Sequence, residues 1–179
     1  RMQVAQEGVR AQTVNTSLQI AGPEDVRGIE ARAVRRTWPR AEVLNAEPNL
    51  LALVEFTACD LPWRFSPEAP LAPAGRVTTS QLRPWVCLVV LAEDEFTLTP
   101  ASDRQPFTRL AVKPAAVLPP LEEAWAWSHV QYFGDRTLTR ANVSEELRDH
   151  PERFVSRLLC PRRLKAGTVY HGFVVPVYQ

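Results

Sequence analysis

"WVCLVVLA", residues 85–92, is eight apolar residues in a row, with valine at 86, 89 and 90. The run is far too short to span a membrane. It is apolar on both of its alternating faces, so it reads as a strand covered from two sides at the centre of a sheet. Cys87 within it reads as a small hydrophobe. The rest of the fold has to supply a neighbour for each face.

The run ends a longer stretch, "LPWRFSPEAPLAPAGRVTTSQLRPW" (residues 61–85), that begins and closes on Pro-Trp. Pro62 holds Leu61 extended, and Pro84 sits at a strand edge, where a missing N–H is tolerated. With Pro67, Pro70 and Pro73 between them, Trp63 and Trp85 read as two structural bolts of an ordered loop between neighbouring strands, not as a ligand cage.

Working outward, "NLLALVEF" (49–56) predicts a buried strand and "FTRLAVKP" (107–114) another. "TVNTSLQI" (13–20) alternates with a period of two, and "GTVYHGFVVPVY" (167–178) predicts a closing strand with Val169, His171, Phe173 and Val175 on one side. Residues 24–43 give no single period and read as irregular with short strand character. "PPLEEAWAWSHVQYFG" (119–134) carries helix start and stop signals: prolines, acids in the first turn, a terminal glycine. Ser144 reads as an N-cap, and Pro151 as restarting a helix through "ERFVSRLL". The fold class expected is α+β: a mixed or antiparallel sheet of short strands with two or three helices in the C-terminal half. Residues 1–12 read as a flexible arm or linker, and 13–179 as a single α+β domain, a piece of a longer polypeptide.

The chain has 179 residues and a net charge of +1, which gives no electrostatic case for nucleic acid or an anionic membrane. Lys113 and Lys165 are the only lysines among 21 basic residues. Arginine on that scale suits interface ion pairs, and equally a GC-rich genome. Sixteen prolines against seven glycines predict short elements and stiff connections. Cys59, Cys87 and Cys160 are too scattered for a disulfide framework, which implies folding in a reducing compartment.

No metal site is expected, because no Cys or His pair has ligand spacing. Serine-hydrolase, phosphate-loop and metalloprotease motifs are missing. Cys160, ahead of Arg162 and Arg163, is the one thiol worth testing as a nucleophile. Glu55 interrupts an apolar strand and reads as the buried half of a structural ion pair with an arginine. The alternative is a general acid, paired with Asp60. Trp125 and Trp127, two apart on a helix, point in different directions, so one packs inward and the other is covered by a partner chain or by another part of the protein. A carbohydrate platform at Trp127 is a further alternative. "RGIEARAVRRTWPR" (27–40) holds five arginines and Trp38, a pattern shared by single-stranded nucleic-acid binders, but overall neutrality favours an acidic neighbouring subunit. The interface candidates are Trp127, Trp38, Arg35, Arg36, Arg162 and Arg163.

Four segments, "EFTACDLPWRFSP", "LRPWVCLVVL", "AWAWSHVQ" and "SRLLCPRRLKAGTVYHGFVVPVY", together resemble, in the same order, a family of large bacterial proteins. That family is associated with gene clusters of extracellular contractile injection systems, the phage-tail-like particles, and carries no mechanistic motif. The resemblance spans roughly residues 26–179. It implies a non-catalytic structural or assembly component, baseplate-associated or adaptor-like, with other protein subunits as partners. No cofactor, catalytic residue, small-molecule ligand, nucleic acid or membrane is expected. The chain would be cytoplasmic at synthesis and leave the cell as part of a particle. The runner-up reading is a hydrolase or carbohydrate-binding module acting on cell-wall glycans.

Overall fold

In the computed structural model, residues 28–66, 82–103, 107–114 and 116–177 are described, with Val26 and the backbone of 2–4 and 12–14. In chain order the strands are β1 (Met2–Val4), β2 (Gln12–Val14), β3 (Val34–Trp38), β4 (Leu53–Phe56), β5 (Val86–Ala92), β6 (Phe96–Thr99), β7 (Arg109–Val112), β8 (Ser128–Tyr132), β9 (Phe154–Leu159) and β10 (Tyr170–Pro176). Among the described residues there is one α-helix, α1 (Val143–Asp149), and five 3-10 turns lie between strands.

β5 is buried at every position, as its composition requires. It pairs antiparallel with β10, Val86 opposite Pro176 and Ala92 opposite Tyr170. On one face Val86, Leu88 and Val90 pack against Val54, Phe56, Leu158 and Cys160 of a four-stranded sheet ordered β3-β4-β9-β8. On the other, Cys87, Val89 and Leu91 meet Phe96, Leu110 and Val112 of the β6–β7 hairpin, with Phe173 and Val175 beside them. The β5–β10 ribbon is thus the middle layer of three. All strand pairs described are antiparallel.

The two Pro-Trp pairs form a reciprocal clasp. Trp85 donates its indole N–H to the Leu61 carbonyl at 2.7 Å, and Trp63 donates its own to the Leu82 carbonyl at 3.3 Å. The Trp85 backbone N–H donates to Pro62 at 2.8 Å, and Phe65 meets the Trp85 ring edge-on at 5.0 Å. Both prolines next to the tryptophans, Pro62 and Pro84, are buried. Residues 67–81, read above as an ordered loop, lie outside the described residues, as do residues 15–20 of the strand expected at 13–20.

The architecture is mixed α+β, with two departures from the expected helices. Helical turns are not confined to the C-terminal half: 3-10 turns also occupy Ala31–Ala33, Leu61–Trp63 and Glu93–Glu95. Residues 119–134 do not form one helix. A 3-10 segment, Leu121–Trp127, gives way to β8 at Ser128, whose hydroxyl donates to the Ala124 carbonyl at 2.9 Å. The segment "FVSRLL" is the central strand β9 rather than a helix, because β4 and β8 both need a partner there. Its inward face is Phe154, Ser156, Leu158 and Cys160, with the Ser156 hydroxyl satisfied by the Ala58 carbonyl at 2.7 Å. The expected arm contributes β1, paired with β2.

Gly134 does not cap a helix. A Cβ built there would lie 1.9 Å from the Tyr132 hydroxyl. That hydroxyl donates to the buried Glu146 of α1 at 2.8 Å. Gly134→Ala is therefore expected to displace the ring, break that bond and cost about 1–3 kcal/mol, read by urea denaturation. An unchanged midpoint would contradict the placement.

Candidate interaction surfaces

Arginine in this chain works first as an internal clip for carboxylates. Glu55 on β4 is 1% exposed. It accepts from Arg157 Nε on β9 at 2.6 Å and from Arg36 Nη2 on β3 at 3.1 Å, with Arg35 Nε at 3.6 Å. Arg36, Glu55, Arg157 and His129 stand at paired positions, one row across all four strands. A bulge between Val34 and Arg36 brings Arg35 to the same carboxylate. Burial pushes the Glu55 carboxyl up, but hydrogen bonds and charge from Arg157 and Arg36 outweigh it and hold it below the usual value. Loss of hydration and the Arg157 charge push the His129 pKa down, which favours the neutral imidazole.

Two more clips follow the same rule. Arg162 holds Glu95 with both Nη atoms, one of them at 2.8 Å, donates to the Val90 carbonyl at 3.0 Å, and lies over the Tyr170 ring at 5.1 Å. This clamps β5 to β10 at one end of the ribbon, where Ala92 pairs with Tyr170, and the Arg162 hydrogen bonds hold Glu95 down to about 2. Glu146 accepts from Tyr132, and from Arg153 at 2.7 Å; the Tyr132 bond leads in lowering its pKa. All three carboxyls are depressed in the fold, so their stabilisation is present above the unfolded value, 4.5, and is lost as pH falls through the folded ones. The thermal midpoint should be flat from pH 7 to about 5 and fall between about 4.5 and 2. A midpoint that rises on acidification would contradict these pairings.

The other residues considered for catalysis, Asp60 and the cysteines, are not part of this row. Asp60 is engaged by Arg64 at 3.0 and 3.1 Å, so it does not form a pair with Glu55 through a shared arginine. Cys160 is fully buried, and burial raises its pKa; Cys87 is pushed up to about 11 by burial. Cys59 is half-buried and also raised, by burial and the Asp60 charge. A thiol reagent on native protein is expected to modify Cys59 alone, slowly, and Cys87 and Cys160 on unfolding. Fast labelling of Cys160 would contradict its burial. Among the described residues no cluster of His, Cys, Asp and Glu could hold a metal ion.

The opposite side of the molecule carries an apolar cleft of about 650 Å³ along β10. Phe173, Val175 and Pro176 form one wall, and Leu98, Leu110, Leu118 and Leu121 line the rest. Leu98, Leu118 and Leu121 are exposed at 49%, 50% and 44%. Val117 and Phe107 are exposed large hydrophobics of neighbouring segments. Among the described residues, no charged side chain lines this cleft.

No family model, curated protein or solved structure matches the chain.

The six sequence-picked interface residues divide into two groups. Trp38, Arg35 and Arg36 lie exposed on β3, and Arg163 is exposed beyond β9. Arg162 has a side chain only 10% exposed and is fully engaged with Glu95 and Val90, so it is a structural clip. Trp127 is half-buried, and its indole N–H is buried without a partner among the described residues. The reason is the 3-10 pitch: three residues per turn align Leu121, Ala124 and Trp127, whereas α-helical spacing would turn Trp125 inward. Trp125 is the more exposed of the two. The cleft was not legible from the sequence, because the alternating run at 96–99 is only four residues long and its lining comes from segments far apart in the chain.

Proposed function

We propose that this chain is a non-catalytic assembly domain, a baseplate-associated or adaptor-like component of a phage-tail-like contractile injection particle, acting through contacts with other protein subunits. The observation that carries the reading is the apolar cleft along β10, rimmed by the exposed Leu98, Leu118 and Leu121. Contiguous apolar surface of this kind is characteristic of a site where another molecule docks. The four-segment resemblance supplies the kind of particle. Three thiols without a disulfide suit folding in the cytoplasm before release within the particle. No helix among the described residues is long and apolar enough to cross a membrane.

Particles purified from cells expressing the whole gene cluster test the reading. Mass spectrometry should find the chain in fixed ratio to the sheath subunit through successive gradients. A chain that stays in the unassembled fraction at every step would overturn it.

A further inference from the structure

We propose that the outward face of the four-stranded sheet, centred on Arg35 and Arg36, docks an acidic segment of a partner protein. This rests on the reading that the chain acts through protein contacts, and it names the chemistry of one partner. The row on that face sets three guanidinium groups against the single carboxylate of Glu55, an excess of two positive charges. Arg35 and Arg36 remain 47% and 58% exposed. Each guanidinium has five N–H donors. Arg36 gives one to Glu55, and Arg35 approaches that carboxylate only at 3.6 Å. Arg35 and Arg157 both lie over the Phe133 ring, at 5.2 and 5.8 Å from its centre, which gives both guanidinium groups a common support. Exposed Trp38 on the same strand supplies an apolar edge.

Planar forks with free donors, held in place before binding, match carboxylates bidentately. A nucleic acid fits less well. The net charge of +1 gives little pull on a polyanion, and the Phe133 ring is already taken by guanidinium groups rather than free for a base.

The test is fluorescence anisotropy at low salt with a labelled peptide of alternating Glu and Ser. An oligothymidylate of equal charge is run beside it. The wild-type chain should bind the peptide more tightly than the oligonucleotide. Arg35→Gln removes no hydrogen bond to Glu55 and should weaken peptide binding about tenfold, with an unchanged thermal midpoint. Arg36→Lys, which keeps charge but loses the fork, should weaken it about threefold. Arg109→Gln, on the β6–β7 hairpin, should stay within about twofold of wild type. No peptide binding, or Arg35→Gln binding like wild type, overturns the proposal. Equal, Arg35-dependent binding of the oligonucleotide overturns it in favour of a nucleic-acid surface. If it fails while cleft variants still leave the particle, the assembly reading stands without this partner; if the chain never enters particles, that reading has failed separately.

Discussion

Trp85→Ala is expected to lower the free energy of unfolding by about 3–5 kcal/mol, against a total of about 5–15 kcal/mol for a domain of ordinary stability. Trp85 is buried within the cluster that joins β5 to the four-stranded sheet. Truncation removes the ring from Phe65 and from that core. It also removes the indole donor to Leu61, leaving that carbonyl short of its 2.7 Å partner. Trp63→Ala is the internal comparison. Trp63 is half-buried, and its bond to Leu82 is longer, 3.3 Å. Its loss should cost about 1–2 kcal/mol, less than a fully buried ring would. Urea denaturation of both variants at pH 7 measures the difference. A larger cost for Trp63→Ala would mean that the first Pro-Trp pair, not the second, is the anchor.

Glu55→Gln is expected to cost about 3–5 kcal/mol. The amide fills the same space, so no cavity contributes. What remains is the Arg157 guanidinium, only 15% exposed, facing a neutral group where it had a 2.6 Å charged acceptor. The penalty for breaking a buried pair is mostly the unpaired charge left behind. The double variant Glu55→Leu/Arg157→Met should therefore recover a large part of the loss, with a coupling energy of about 1–3 kcal/mol. A double variant as unstable as the two single losses added together would show that the row stabilises by packing rather than by charge.

The sequence was most informative where one strand could be read from its own composition. β5 was legible because burial on both faces leaves a continuous apolar run, and β10 and β7 from their positions among turn residues. Glu55 was legible as an ion pair because a carboxylate in an apolar strand needs a partner wherever that partner lies. The identity of the partner was not, since Arg157 is 102 residues away. β9 was misread for a related reason. Ser156 interrupts its inward face, and only the Ala58 carbonyl, across the sheet, makes that serine acceptable there. At 121–127 the residues were right and the pitch was wrong, which exchanged the roles of Trp125 and Trp127. The arginines show the same limit: Arg35, Arg36 and Arg162 look alike in sequence, yet Arg162 is enclosed and the other two face outward.

The most direct measurement is co-purification of a cleft variant with the particle subunits that the proposed function calls for. Leu118 is 50% exposed, so Leu118→Asp should change stability by no more than about 0.5 kcal/mol. Wild type should elute with its partner subunits, and Leu118→Asp should elute free with an unchanged thermal midpoint. A variant that elutes with the partners as wild type does would contradict the assignment of the β10 cleft as the assembly surface.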